Sequence, residues 1–252
     1  MYNMNKVDVS TIKALTFDIF GTVTDWRSTI IQELEQLGQA KGIKANWGKF
    51  ADAWRWEGYI LSMERVNRGE LPWMNVDQLH RLMLDELLTR FGVTGLNEAE
   101  RDHLNRVWHR LKAWPDVIGG LERLRRRYIV AALSNGNVAL LVNMAKNAGL
   151  PWDCVLSSEL AKCYKPAPEV YQVAADLLGL PPNQVMMVAA HKCDLKGAYA
   201  IGMKIAFISR PMEHGTQRLA YGGAESKENT DDEPWLDLYA NDFDELAEKL
   251  GT

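Results

Sequence analysis

The chain has 252 residues, 47% hydrophobic and 25% charged, which is ordinary for a globular protein large enough to bury a substantial core. Its formal net charge of −4 predicts no general attraction to nucleic acid or to an anionic membrane surface. No apolar stretch approaches the roughly 20 residues that a membrane-spanning helix needs, and Met1–Ser10 lacks the apolar segment of a signal peptide.

Cysteine and histidine usage indicates a reducing compartment and no built-in metal. Cys154, Cys163 and Cys193 are odd in number and have no Cys-x-x-Cys spacing. The five histidines are scattered and show no spacing typical of metal ligands. We therefore expect a cytoplasmic protein with reduced thiols, no metal and no cofactor.

The first predicted strand is Lys13–Asp18, a short apolar run that Gly21 interrupts. From Ser28 to about Leu111 apolar residues recur at helical spacing, and no convincing strand is found in this helical block. Seven of the nine tryptophans precede Pro115, mostly in the helical block, which predicts a small domain with an aromatic-lined face.

Beyond the helical block, strands and helices alternate. The predicted strands are Tyr128–Leu133, Val155–Ser158, Val185–Ala189 and Lys204–Ser209, and the predicted helices are Asn137–Ala148, Pro168–Leu178 and Leu195–Ala200. After these, Gly222–Pro234 is predicted to be a surface loop and Trp235–Leu250 a short strand with a closing helix. This alternation is typical of a parallel sheet covered by helices on both faces.

We therefore predict an α/β fold, with a doubly wound, Rossmann-like parallel-sheet core and an inserted helical cap domain. The core is assigned to residues 1–26 and 112–252, and the cap to residues 27–111. This division follows from the position of the helical block between the first strand and all the others.

Polar side chains follow four of the predicted strands, where open α/β sheets bind ligands. They are Asp18, Ser134, Asn135, Lys165, His191 and Asp194. Each has a structural alternative. Asp18 could cap a turn, Ser134, Asn135 and Asp194 could cap helices, Lys165 could be solvated, and His191 could be a hydrogen-bonded structural histidine. Their joint occurrence favours a functional site.

Four segments resemble, in order, the motifs of the haloacid dehalogenase superfamily: Asp18–Thr22, Leu133–Gly136, Tyr164–Pro166 and Val188–Asp194. The resemblance runs from Lys13 to about Gly215 and is greatest to the type II (L-2-haloacid) dehalogenases. Those enzymes carry Tyr or Phe where the superfamily's phosphatases carry a second Asp, and this chain has Phe20. Asp25–Arg27 and Arg210–Glu213 also resemble that branch.

The resemblance implies a covalent mechanism. Asp18 would displace halide from C2 of a 2-halocarboxylate, and water would hydrolyse the resulting aspartyl ester to a 2-hydroxy acid. Lys165 would keep Asp18 ionised, and Asp194 would position Lys165 and help activate the water. Thr22 and Ser134 would supply hydrogen bonds to Asp18 or to the substrate carboxylate.

The resemblance also implies a halide site formed by Arg55 and Asn135, and a place near the substrate for Tyr171. The alternatives are a surface position for Arg55 and core packing for Tyr171.

Because Phe20 has no proton to donate, phosphate-ester hydrolysis loses its general acid, whereas a halide leaves as a stable anion and needs no proton. A phosphatase that recruits an acid from the cap, and a catalytically idle binding protein, are the competing interpretations.

Three residues depart from the family pattern. Ala189 and His191 stand where Ser and Asn commonly surround the hydrolytic water, and Cys193 stands where an aromatic residue often lines the halide site. His191 could then orient the water and transfer a proton. A smaller, differently lined pocket would favour haloacetates, fluoroacetate among them. The resemblance makes a homodimer plausible, with the tryptophan-rich cap as a candidate contact surface.

Overall fold

The computed structural model describes residues 9–215 and 233–252. Within these ranges, one sheet contains six parallel strands in the spatial order β5-β4-β1-β6-β7-β8. They are β1 (Ala14–Phe17), β4 (Ile129–Ser134), β5 (Cys154–Ser157), β6 (Val185–Ala189), β7 (Lys204–Ile208) and β8 (Leu238–Ala240). The strands β2 (Thr24–Asp25) and β3 (Lys112–Ala113) form a separate antiparallel pair.

The predicted α/β architecture is confirmed, and the predicted strands of the sheet agree with the observed ones to within one residue at each end. β1 and β6, at the centre, are buried along their whole length. Central strands buried on both faces are apolar throughout, which is why their runs could be found in the sequence. The predicted loop Gly222–Pro234 lies largely outside the described residues.

The helical block contains helices only, as predicted. They are α1 (Trp26–Lys41), α2 (Trp47–Ala53), a π-helix (Trp54–Leu61), α3 (Ser62–Asn67), α4 (Val76–Arg90), α5 (Glu98–Asn105) and a 3₁₀-helix (Arg106–Arg110). A π-helix of this length is uncommon, and such geometry occurs frequently at functional sites. None of the helices in the described ranges combines the length and apolar character needed to cross a membrane.

The sheet is covered by α6 (Val117–Leu124), α7 (Val138–Ala148), α8 (Pro168–Leu178), α9 (Lys192–Ala200) and α10 (Phe243–Lys249). α9 begins three residues before the predicted start at Leu195. Asp194 therefore lies inside the first turn of the helix, where its carboxylate is fixed by a regular backbone.

The pair β2–β3 lies where the chain leaves the sheet for the helical block and where it returns. Thr24 pairs with Ala113 and Asp25 with Lys112, so the two crossings are held together by backbone hydrogen bonds. These crossings coincide with the predicted boundaries at residues 26 and 112. The division into a core and a cap domain remains a prediction.

The tryptophans of the helical block are mostly interior residues. Trp26, Trp54 and Trp108 are fully buried. The ring of His80 stacks on Trp108 at a centroid distance of 4.1 Å, and Tyr59 stacks on His80 at 5.4 Å. Burying such large rings removes much apolar surface from water. These three tryptophans are thus unavailable to the suggested homodimer surface, and the homodimer itself remains a prediction.

Candidate active site

A cavity of about 430 Å³ lies between the carboxyl ends of the central strands and the helices of residues 54–67. Six of the residues singled out in the sequence line it: Asp18, Arg55, Asn135, Lys165, His191 and Asp194. β1, β4 and β6 are neighbours in the sheet, so the residues that follow them meet at one edge.

Asp18 is 7% exposed, and each of its carboxylate oxygens accepts hydrogen bonds. Oδ1 accepts from Lys165 Nζ at 3.0 Å. Oδ2 accepts from Thr22 Oγ1 at 2.7 Å and lies 3.1 Å from His191 Nδ1. Burial alone would raise the pKa of Asp18, but the charge of Lys165 and the hydrogen bond from His191 outweigh it and hold the pKa well below its usual range. Asp18 is therefore a buried carboxylate anion at the cavity wall.

Lys165 is 8% exposed and lies between two carboxylates. Its ammonium group donates to Asp18, to Asp194 Oδ2 at 2.5 Å and to the carbonyl of Leu133 at 2.9 Å. Burial favours the neutral amine, but the two carboxylates outweigh it and raise the pKa of Lys165. The alternative of a solvated loop lysine is wrong.

Asp194 is held from the other side by Tyr171. The hydroxyl of Tyr171 lies 2.5 Å from Asp194 Oδ1 and 3.0 Å from its carbonyl oxygen. Burial raises the pKa of Asp194, and it also raises the pKa of Tyr171, which stays a neutral donor. Tyr171 is completely buried behind Asp194 and not at the cavity wall, so its contact with the site passes through that carboxylate.

Thr22 links Asp18 to the turn after β6. Its Oγ1 donates to Asp18 and accepts from the amide of Ala190 at 2.9 Å. Ser134 is placed differently from the expectation: its Oγ accepts from the amide of Gly136 at 3.1 Å, and the described structure gives it no hydrogen bond to Asp18. Both hydroxyls are fully buried.

The helix-capping alternatives are wrong. The residue that precedes α7 is Asn137, not Ser134 or Asn135, and His191 precedes α9. Asn135 instead binds the backbone of Lys165: Oδ1 accepts from its amide at 2.8 Å and Nδ2 donates to its carbonyl at 3.4 Å. The asparagine thus contributes to the placement of the lysine as well as to the cavity wall.

His191 joins Asp18 to Glu213, a residue that sequence reasoning did not single out for the site. Its Nε2 lies 3.1 Å from both carboxylate oxygens of Glu213. Burial would lower the pKa of His191, but Glu213 and Asp18 outweigh it and raise this pKa well above 6.5. Burial would likewise raise the pKa of Glu213, whereas His191 lowers it to about 2. The pair is an imidazolium–carboxylate ion pair.

Two further contacts fix Glu213. Trp26 Nε1 donates to Glu213 Oε1 at 3.1 Å. Gly21 has φ +93°, and a side chain there would collide with the Glu213 carboxylate. Glycine at position 21 therefore permits both the positive φ of the turn after β1 and the close approach of the Glu213 carboxylate to the backbone. The only sequence signal for Glu213 was its place in the Arg210–Glu213 segment.

Arg55 extends over an aromatic wall. Its guanidinium carbon lies 4.4 Å from the ring centroid of Tyr59, 5.6 Å from Trp26 and 5.7 Å from Phe20. Its buried Nη1 has no hydrogen-bond partner among the described residues. The alternative of a surface arginine is wrong, because the side chain lines the cavity. The arginine offers an anion a partly buried cation with an open N–H donor.

Phe20 is completely buried and packs edge-on against Tyr59 at 5.3 Å and Trp108 at 5.8 Å. Its position in this cluster leaves no acid beside Asp18 on that turn. The apolar rings also exclude water from one side of the carboxylate and strengthen its remaining electrostatic interactions.

The residues of this site do not fit the Mg²⁺ that phosphatases of the superfamily use. Every carboxylate oxygen of Asp18 and Asp194 already accepts a hydrogen bond: Lys165 donates to both residues, Thr22 donates to Asp18, and Tyr171 donates to Asp194. Across residues 9–215 and 233–252, no group of three or more His, Cys, Asp or Glu side chains is arranged to hold a metal ion.

A family model described as haloacid dehalogenase-like hydrolase matches residues 12–200. The chain therefore belongs to the haloacid dehalogenase-like hydrolases. Among its relatives is (S)-2-haloacid dehalogenase 4A of Burkholderia cepacia, 31% identical over 210 residues that cover 80% of this chain and 85% of the relative. Haloacetate dehalogenase H-2 of Moraxella sp. (strain B) is 26% identical over 207 residues, which cover 79% of this chain and 86% of the relative.

The solved structures that resemble this chain include L-2-haloacid dehalogenases as well. The crystal structure of an L-2-haloacid dehalogenase shares 42% identity and superimposes with a TM-score of 0.87, covering 95% of this chain and 98% of that chain. The crystal structure of a defluorinating L-2-haloacid dehalogenase shares 39% identity with a TM-score of 0.88, and 96% of both chains is covered. The recognition made from the four motifs is confirmed.

Proposed function

We propose that this protein is a hydrolytic dehalogenase that converts short 2-haloalkanoic acids to 2-hydroxy acids without a metal ion. One observation carries the proposal: the ionised, buried Asp18 shares a cavity with the unpaired Nη1 of Arg55. A buried carboxylate can act as a nucleophile in covalent catalysis, and a guanidinium N–H can bind the halide that leaves. The family membership and the names of the relatives support the same reaction.

In the first step, a carboxylate oxygen of Asp18 attacks C2 of the substrate. The new C–O bond forms as the carbon–halogen bond breaks, and the halide leaves with the bonding electron pair, inverting C2. Lys165 keeps Asp18 ionised and oriented through its contact with Oδ1. Arg55 and Asn135 are the proposed halide donors, since both line the cavity and can donate N–H groups.

In the second step, water attacks Cγ of the Asp18 ester. We assign His191 as the base for this water, because its Nδ1 lies at Asp18 Oδ2, and Glu213 as the partner that holds Nε2–H. Ester formation removes the negative charge of Asp18, so the pKa of His191 falls and the imidazolium loses its proton to solvent. The neutral ring then accepts the proton of the attacking water.

The proton balance closes when the ester bond breaks. His191 returns its proton to the departing alkoxide of the 2-hydroxy acid, and the regenerated Asp18 carboxyl protonates His191 again. One water is consumed, and one halide and one proton are released. Asp194 positions Lys165 through its contact with the ammonium group, and Tyr171 acts one step further away, through its hydrogen bond to Asp194.

Phosphate-ester hydrolysis is the weaker candidate. A phosphatase needs an acid for its leaving group, and Phe20 supplies none. The carboxylate oxygens of Asp18 and Asp194 are also already engaged in hydrogen bonds within the site. Haloacetates, with fluoroacetate among them, are included in the proposed substrates because a haloacetate dehalogenase and a defluorinating dehalogenase are among the similar proteins.

The deciding experiment measures halide release from fluoro-, chloro- and bromoacetate and from each enantiomer of 2-chloropropionate, with and without EDTA. We expect release that EDTA leaves unchanged, and none from the Asp18→Asn variant. A single turnover in ¹⁸O-water should place the label on Asp18, detected by mass spectrometry of its peptide. EDTA-sensitive phosphate release from p-nitrophenyl phosphate, with no halide, would establish the phosphatase instead.

We also infer a cytoplasmic enzyme that forms a homodimer. The three free cysteines, Cys154, Cys163 and Cys193, support a reducing compartment. The dimer rests on the resemblance to the L-2-haloacid dehalogenases. Light scattering coupled to size-exclusion chromatography tests it, and a monomer mass at micromolar concentration would contradict it.

A further inference from the structure

The loop that carries Lys165 is held by two asparagine side chains. Asn135 binds both backbone polar groups of Lys165. Asn67, the last residue of α3, binds the preceding residue in the same way: its Oδ1 accepts from the Tyr164 amide at 2.8 Å and its Nδ2 donates to the Tyr164 carbonyl at 2.8 Å. Two consecutive residues are thus fixed at their amide and carbonyl groups.

The side chain of Tyr164 adds to this attachment. Its hydroxyl donates to the carbonyl of Met74 at 2.5 Å, and its ring lies 4.9 Å from that of Trp73. Tyr164 is completely buried. The segment 67–74 of the helical block therefore holds the residue before Lys165 by three hydrogen bonds and a ring contact, while the sheet side holds Lys165 itself.

The position of this backbone matters because Lys165 Nζ must reach three acceptors at once. Asp18, Asp194 and the carbonyl of Leu133 all lie within 3.0 Å of it. A shift of about 1 Å in a positioning element can lower a rate by about 10²-fold. We infer that Asn67 is a positioning residue: it fixes the backbone before Lys165 so that the ammonium group reaches both carboxylates.

This inference rests on the proposed function, in which Lys165 keeps Asp18 ionised. Asn67 also borders the cavity, so a direct substrate contact is the competing role. Its carbonyl and an amide N–H are, however, already engaged by Tyr164. The two roles differ in their kinetics, since a positioning residue acts on kcat and a residue that binds substrate uniformly acts on KM.

The test compares Asn67→Ala with Ser62→Ala. Ser62 starts the same helix, and its Oγ donates one hydrogen bond, to the Glu57 carbonyl at 3.1 Å, away from the lysine loop. For Asn67→Ala we expect kcat for halide release to fall about tenfold or more, because both hydrogen bonds that fix the backbone of Tyr164 from Asn67 are lost. KM should stay within about threefold. Ser62→Ala should keep the wild-type kcat.

Two further results separate positioning from a structural role. The acid limb of the pH profile of kcat/KM should move upward in Asn67→Ala, because a less constrained Lys165 lowers the pKa of Asp18 less. Asn67→Asp, which keeps the side-chain size and the acceptor but loses the donor, should remain slow. A wild-type rate for Asn67→Asp would attribute the loss to cavity size and overturn the inference.

Hydrogen exchange gives a readout that needs no substrate. The amides of Tyr164 and Lys165 should both exchange faster in Asn67→Ala and be unchanged in Ser62→Ala. An unchanged Lys165 amide, or a raised KM with a normal kcat, would overturn the inference. Failure of the proposed function would show differently, as absence of halide release from the wild-type protein.

Discussion

The ammonium group of Lys165 lies 3.0 Å from Oδ1 of Asp18, and both side chains are removed from water. A buried lysine without a partner would lose its proton and a buried aspartate would gain one. Here each holds the other in its charged form. Asp18, the proposed nucleophile, is therefore anionic in the resting protein, before substrate enters.

Replacing Lys165 by Met is expected to abolish halide release and to destabilise the fold. Asp194 would then be a buried carboxylate without a cation, and Asp18 would keep only its contact with His191, so the pKa of each would rise and at least one would become protonated. Removing one partner of a buried ion pair costs about 3–5 kcal/mol of unfolding free energy. Urea denaturation at pH 7 measures the cost, and Lys146→Met, on an exposed position of α7, is the matched control.

Glu213→Gln should slow ester hydrolysis more than ester formation. The change removes the charge that raises the pKa of His191, so this pKa should fall, and an NMR titration of the ring would show it. Rapid-quench kinetics should show a burst of about one halide per active site followed by slow turnover. The exposed Glu248→Gln variant, on α10, should show neither change. If Glu213→Gln releases halide without a burst and at the wild-type rate, the assignment of His191 as the base is refuted.

The His191–Glu213 pair should also make stability depend on pH. His191 has a raised pKa in the folded protein. Its contribution to the free energy of unfolding is therefore complete below pH 6.5, and it is lost as the pH rises through the raised pKa. Glu213 has a pKa lowered from 4.5 to about 2 in the folded protein. Its contribution to the free energy of unfolding is therefore complete above pH 4.5, and it is lost as the pH falls toward 2. The Tm difference between wild type and Glu213→Gln should be largest between about pH 4.5 and 6.5 and shrink on both sides. A difference that is constant with pH would contradict the ion pair.

Arg55→Leu should lower kcat/KM for halide release by about 10²-fold, because the substitution removes a desolvated donor from the place where negative charge develops. Arg55→Lys keeps the charge but not the planar guanidinium over Tyr59, and should restore part of the activity. Arg106→Leu, at an exposed position, serves as the control. Steady-state kinetics with chloroacetate and bromoacetate would measure all three, and an active Arg55→Leu would place the halide elsewhere.

Much of the fold could be predicted because its physical causes are local. The sheet strands are short apolar runs, and α7 and α8 end at Gly149 and Gly179, where the chain adopts left-handed φ values of 69° and 66°. The start of α9 was missed, because Lys192 and Cys193 give no apolar periodicity and His191 supplies no side-chain cap. The tryptophan-rich block was correctly predicted to be helical, but its rings pack inward, which composition alone does not specify.

By itself, the sequence determined that Asp18, Lys165 and Asp194 follow parallel strands and that Phe20 replaces an acid, because strand ends of one parallel sheet converge at the same edge. Only the tertiary structure decided which side chains complete the site. Glu213 reaches His191 across Gly21, and Asn67 reaches Tyr164 from 97 positions away in the chain. Such contacts depend on how helices and loops pack in space, and no local pattern of residue types records that.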